Sequence, residues 1–192
     1  MATAAGEPRI EPVEHDAGTL NIFATLARNE GLSKGFLRLG GHLLGGGVLP
    51  ARTRELIILR VGWRCGSEYE FGQHTSIGKS AGLTDDEIGR LADCGTGTWV
   101  QADRELIDLA DELCDDDEVS GGTWVALASR FTDAELLELV VLAGFYRMVS
   151  GMLNSVAVAL EPGTAGWPPG ATPERRAPRQ VIAGDGDPST PA

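Results

Sequence analysis

Residues 49–88 read LPARTRELIILRVGWRCGSEYEFGQHTSIGKSAGLTDDEI, and this stretch decides the fold. Its most apolar run, LIILRV, has the density of a buried strand. The pattern, however, continues from Arg52 and Glu55 to beyond Gly62, and Pro50 stands at the start, where a helix tolerates proline. A helix from Pro50 to about Trp63 is therefore predicted. Ser67 to Ala81 forms a second helix, closed by Gly82. Thr84-Asp85-Asp86-Glu87 is a capping box that opens a short third one.

The same reading extends in both directions. Leu20–Arg28, Leu32–Leu44 (ended by Gly45-Gly46-Gly47), Asp103–Cys114 and Ser120–Phe131 carry apolar residues at helical spacing. Thr132-Asp133-Ala134-Glu135 is a second capping box, opening a long helix expected to reach about Leu160. No stretch shows strand alternation joined by hairpin chemistry. An all-α fold of about six to eight helices is expected over residues 18–161. Residues 1–17 read as a flexible lead-in. Residues 162–192 hold seven of the ten prolines and little apolar content, which predicts disorder or an extended arm. Trp167 is the exception there, a candidate anchor onto its own subunit or a neighbour.

At 192 residues the chain is one domain's length, and 42 % apolar with 23 % charged residues is globular composition. A formal charge of −12 and a pI near 4.6 argue against nucleic-acid and anionic-membrane partners, which need a basic surface. Cys65, Cys94 and Cys114 are few and scattered, with no spacing that suits a metal, so reduced thiols in a cytoplasm are expected. Met1 to Glu14 has no apolar core of a secretory signal. Val140–Leu160 contains Arg147 and Asn154 and is read as a buried helix rather than a membrane span.

Candidate chemistry gathers on the second helix. At 100° per residue, Ser67, Glu70 and His74 fall within about 60° of one another, with Phe71 and Ile77 on or beside the same core-facing stripe. Glu70 and His74 are four apart, the spacing at which helical side chains meet. Either they form a self-satisfied buried pair, or they form an acid–base pair that moves a proton between carbons. Glu55 sits among Leu56, Ile57, Ile58 and Leu59 and needs a partner: Arg52, Arg60 or Arg147 in a salt bridge, or His74 across the helix pair. Arg147 and Asn154, seven apart on the long helix, share a face. They are candidates to hold a substrate carboxylate or carbonyl, or else Arg147 pairs with Glu55 and Asn154 bonds backbone. Tyr146 has the same standing. His42, beside the glycine run, is a candidate to enter a pocket from a loop. Tyr69, Trp63 and Phe71 are candidate pocket walls, the last two equally readable as core.

The quoted stretch resembles the carboxymuconolactone decarboxylase family, whose fold is shared with AhpD-type alkylhydroperoxidases; LVVLAGFYRMVSGMLNSVAVAL resembles its C-terminal helix. The resemblance implies an AhpD-like helical bundle assembled as trimers or hexamers around small-molecule sites. The peroxidase branch carries a Glu, a Cys twelve residues on, a second Cys three later and a His four after that. The matching positions here are Glu55, Ser67, Glu70 and His74, so both redox cysteines are missing and a dithiol peroxide cycle is not expected. The decarboxylase branch implies a cofactor-free, metal-free lyase or isomerase, with His74 as the acid–base group, Glu70 and Glu55 tuning it, and a small oxygenated unsaturated acid or lactone as substrate. The alternative is a non-catalytic oligomeric binding or scaffold protein that keeps the polar cluster for structural specificity.

Overall fold

The computed structural model describes residues 7–16, 18–93, 98–171 and 173. Eight helices follow one another: α1 (Asn21–Leu26), α2 (Glu30–Gly41), α3 (Ala51–Arg64), α4 (Glu68–Ser80), α5 (Asp85–Leu91), α6 (Gln101–Asp115), α7 (Gly121–Ala128) and α8 (Asp133–Val156). Helix α2 runs on into a π-helical turn, His42–Gly46. Among the described residues there is no strand. The all-α expectation holds, and both capping boxes form, at Thr84–Glu87 and Thr132–Glu135.

Helix α3 is the axis of the bundle. Every residue from Glu55 to Trp63 is buried, because α4, α6 and α8 pack around it. A helix apolar on all sides belongs in a core, and this is why the sequence there resembled a strand. Its charged residues are satisfied outward. Arg60 donates twice to Asp111 (2.6 and 2.8 Å) and to the carbonyls of Leu91 and Asp93. Arg52 pairs with Asp103 (2.8 Å) and Glu87 (2.5 Å). Helix α4 lies close against α3 at Gly78, where an added Cβ would meet Leu59 at 3.1 Å and the Glu55 Cβ at 3.7 Å. That approach brings the Glu55 and His74 side chains within reach of each other.

Helix α8 is 24 residues long and apolar enough to cross a membrane by length and composition. Ten of its residues are nevertheless buried in the bundle, from Leu136 to Leu153. It ends earlier than expected, at Val156. Ala157 takes a left-handed conformation (φ 55°), and the chain continues extended.

The segments flanking the bundle lie against it. Arg9 donates its backbone N–H to Val156, and Val13 donates to Ala24. The Arg28 guanidinium donates to the carbonyls of Glu11 and Pro12. The loose lead-in expected for residues 1–17 is therefore docked over 7–16, while 1–6 and 17 lie outside the described residues. The first part of the tail crosses α4, and the Trp167 ring packs on Trp63 and Phe71, each at 5.2 Å between centroids. Residues 172 and 174–192 of the tail are outside the described residues.

Gly72 permits this crossing, since a Cβ there would sit 2.3 Å from the Ala165 carbonyl oxygen. Gly72→Ala is expected to push the strap off α4 at a cost of about 1–3 kcal/mol. A lowered melting temperature and a red-shifted Trp167 emission, the latter absent in a Trp167→Phe background, would report it. An unchanged melting temperature would show that the strap contributes nothing.

Candidate active site

His74 stands between two carboxylates. Its Nδ1 lies 2.7 Å from Glu55 Oε2 on α3, and its Nε2 lies 3.0 Å from Glu70 Oε1, one turn earlier on α4. All three are buried, at 1 % (Glu55), 4 % (Glu70) and 5 % (His74) exposure. The alternatives for Glu55 resolve in favour of His74, since Arg52, Arg60 and Arg147 have other partners. Burial pulls the imidazole pKa down, but hydrogen bonds and charge attraction from Glu55 and Glu70 overcome it and raise the value to about 9. At neutral pH the ring is an imidazolium with an N–H on each nitrogen, and each N–H is taken by a carboxylate.

The S-x-x-E run at Ser67–Glu70 resembles a third capping box, but no side-chain cap forms at Ser67. Glu70 points to His74 instead, and the fully buried Ser67 hydroxyl has no hydrogen-bond partner among the described residues. A local stabilising pair is given up so that Glu70 can serve the cluster.

Glu70 and His74 face a partly open cavity of about 220 Å³ lined by α1, α2, the π-helical turn, α4 and α8. Ile22 and Phe23 come from α1, Phe36, Leu37, Gly40 and Gly41 from α2, and Leu44 from the turn. Tyr69, Gln73 and Ile77 come from α4, and Phe145, Tyr146 and Val149 from α8. Leu20, just before α1, completes the lining. The Tyr146 ring stands edge-on to the imidazole, 5.1 Å between centroids at 85°. Burial, then the charges of Glu70 and Glu55, push the Tyr146 phenol upward, so it stays protonated.

Glu161 fixes one wall. It accepts from the Asn21 backbone N–H (2.7 Å), the Tyr69 hydroxyl (2.7 Å) and the Gln73 amide. A carboxylate thus sits at the start of α1, where helix N–H groups favour it. Burial and the bond to Glu161 push the Tyr69 phenol upward too, which keeps its proton on the oxygen.

Of the residues singled out in the sequence, His74, Glu70, Tyr69 and Tyr146 line this cavity, with Glu55 behind His74. The others do not. Arg147 follows Tyr146 on α8 and so projects about 100° away. It donates to the Leu113 carbonyl (2.8 Å) and pairs with Asp117. Asn154 does share that face, where its amide donates to the Cys65 carbonyl (2.9 Å) at the end of α3. His42 is exposed on the π-helical turn, although its neighbours Gly41 and Leu44 line the cavity. Ser67, Trp63 and Phe71 are core residues. Ile77, placed beside the Glu70/His74 stripe from the sequence, lines the cavity, whereas sequence reasoning missed Gln73, which lies midway between Tyr69 and Ile77 at four-residue steps and was open to that projection. It also missed the walls from α1, α2 and α8, whose apolar faces carry no mark of facing a void.

Cys65 and Cys114, far apart in sequence, meet in space away from the cavity. The hydrogen bond from the Cys114 thiol, with Arg147 and Arg64 nearby, lowers the Cys65 pKa against the effect of burial. Cys94 lies outside the described residues.

The helical bundle has an AhpD-like fold. The model of the carboxymuconolactone decarboxylase family matches residues 30–108, the region that carries Glu55, Glu70 and His74. No curated protein matches the sequence. Among solved structures, a peroxidase-related protein from Silicibacter sp. TM1040 is similar with a TM-score of 0.69 and 17 % identity, over 76 % of this chain and 78 % of its own. An alkylhydroperoxidase AhpD core protein from Ralstonia eutropha JMP134 gives 0.65 and 20 %, over 73 % and 76 %. A cysteine-to-alanine variant of the debrominase Bmp8, in complex with 2,3,4-tribromopyrrole, gives 0.69 and 13 %, over 80 % and 91 %. At these identities the likeness is one of fold.

Proposed function

We propose that this protein is a cofactor-independent lyase or isomerase that moves a proton within a small oxygenated unsaturated compound, an acid or a lactone. The observation that carries this reading is the seating of His74 between Glu55 and Glu70, with Glu70 and His74 opening onto a largely apolar cavity. Glu70 acts as the base toward a carbon-bound proton. The His74 imidazolium holds Glu70 in place and returns a proton to the product. Glu55 does not line the cavity and is a positioning residue, fixing the ring through Nδ1. A cytoplasmic homo-oligomer is the setting that fits the reduced thiols and the family.

Thiol-peroxidase chemistry is a second reading, favoured by the meeting of Cys65 and Cys114 and by the peroxidase-related neighbours. Against it, the cysteine pair lies outside the cavity, and Ser67 and Glu70 occupy the positions matching the peroxidase cysteines. Two assays separate the readings. Hydrogen–deuterium exchange and ultraviolet change across a panel of lactones and unsaturated acids are expected with the native enzyme, with a loss of about 10²-fold or more in Glu70→Gln. Thiol-dependent peroxide consumption that vanishes in Cys65→Ser would instead establish the peroxidase.

A further inference from the structure

An acid and a lactone differ in charge, and the cavity discriminates between them. None of its lining residues is Arg or Lys. Arg147, the expected carboxylate anchor, is held by Asp117 and the Leu113 carbonyl. Arg54 is close enough for its charge to act on Tyr146, but it is outside the lining, and its guanidinium donates to the Leu49 carbonyl at 2.6 Å. The charged groups that face the cavity are the Glu70 carboxylate and the His74 imidazolium, and both N–H groups of that ring are already taken, by Glu70 and by Glu55 behind it, so the cluster carries a net negative charge. An anionic substrate would have to shed its water against Phe23, Phe36, Leu44 and Phe145 and sit beside a like charge, and the one cation in the lining, His74, is already neutralised by two carboxylates.

The polar groups point to what does fit. The Tyr69 hydroxyl donates to Glu161 and accepts from the Ile22 N–H, and one N–H of the Gln73 amide is also held by Glu161. Tyr146 lines the cavity with its ring edge-on to His74, and its hydroxyl, which makes no hydrogen bond to another described residue, has an O–H to donate while it remains protonated. A neutral donor next to a base suits a carbonyl oxygen with an acidic C–H nearby. The volume, about 220 Å³, is below the roughly 300–1,000 Å³ of drug-sized sites and suits a single ring with short substituents.

We infer that the substrate is an uncharged one-ring carbonyl compound, a lactone or enone rather than a carboxylate, with its carbonyl oxygen held by Tyr146 and its acidic C–H presented to Glu70. This rests on the acid–base reading of the site. In the reaction Glu70 takes the proton, and the C–H electron pair delocalises onto the carbonyl oxygen, where the Tyr146 O–H supports the charge. A proton then returns at another carbon of the conjugated system from the Glu70–His74 pair. The double bond has moved and no oxidant is consumed.

The test uses matched probes of one ring, methyl benzoate and benzoate, titrated into the full-length protein at pH 7 by calorimetry and by NMR of the His74 ring. The ester is expected to bind about 100-fold or more tightly than the anion. Tyr146→Phe should weaken ester binding about tenfold, the size of one hydrogen bond, with the melting temperature unchanged. Leu44→Lys, which adds a cation to the wall, should shift the preference toward benzoate. Benzoate binding as tightly as the ester would overturn the inference, and loss of that binding in Arg54→Gln would identify the anchor overlooked. Failure of the ester to bind would overturn it equally. Exchange into α-angelica lactone in D₂O is followed separately. Ester binding without any such exchange leaves the charge preference standing and sinks the acid–base reading. Exchange restricted to carboxylated probes does the reverse.

Discussion

A His74→Asn protein is expected to turn over substrate about 10²- to 10⁴-fold more slowly than the native enzyme, the range over which a positioned acid–base group contributes. The loss has two sources. The proton donor at the cavity floor disappears, and Glu70 loses the N–H that aims it, since the shorter amide cannot reach both carboxylates across distances of 2.7 and 3.0 Å. The substitution also leaves two buried carboxylates without the cation between them, which costs about 3–5 kcal/mol where one partner of a buried pair is removed. Turnover is therefore measured alongside the far-ultraviolet spectrum and the melting temperature. A folded variant that retains turnover within about threefold would end the acid–base reading. If the variant does not fold, Glu70→Gln decides the matter, because it keeps the volume and can still hydrogen-bond to the ring. Under the scaffold alternative Glu70→Gln has no turnover to lose and affects assembly alone.

The contrast between α3–α4 and the rest of the site shows what a sequence can reveal. Glu55 in a wholly apolar helix and the Glu70/His74 pair at helical spacing are local anomalies, visible because a charge in a core must be answered. The capping boxes at Thr84 and Thr132 were legible for the same reason, each being contained within four residues. Arg147 and Asn154 were placed correctly on a common face of α8, but that face looks toward α6 and the end of α3 rather than toward the cavity. Periodicity fixes which residues share a face and is silent on what the face meets. The cavity walls were illegible because Phe36, Leu44 and Phe145 lining a void have the same pattern as residues filling a core. Glu161 stood at the edge of a segment read as an arm, and its three bonds to Asn21, Tyr69 and Gln73 span 88 to 140 residues of sequence.

The imidazolium also makes stability depend on pH in a direction that is fixed. His74 has a pKa of about 9 in the folded protein against an ordinary value of 6.5. A group whose pKa is raised by folding binds its proton more tightly in the native state. Its contribution is therefore complete below about 6.5 and disappears as pH rises through about 9. At 1.36 kcal/mol per unit, the difference is on the order of 3 kcal/mol. Urea denaturation at pH 6 and pH 10 is expected to show a loss of about that size in the native chain. Glu55→Gln removes one of the two charges that hold the proton, so the loss should begin at lower pH, and the alkaline limb of kcat/KM should move with it from about 9 toward the ordinary histidine value. A purely structural role for Glu55 would lower the melting temperature without moving that limb. Stability that stays level from pH 6 to pH 10, or an alkaline limb already near 6.5 in the native enzyme, would mean that the ring is neutral at pH 7. A neutral ring leaves one carboxylate without a proton to share, and Glu70 could then no longer be held as the base by His74.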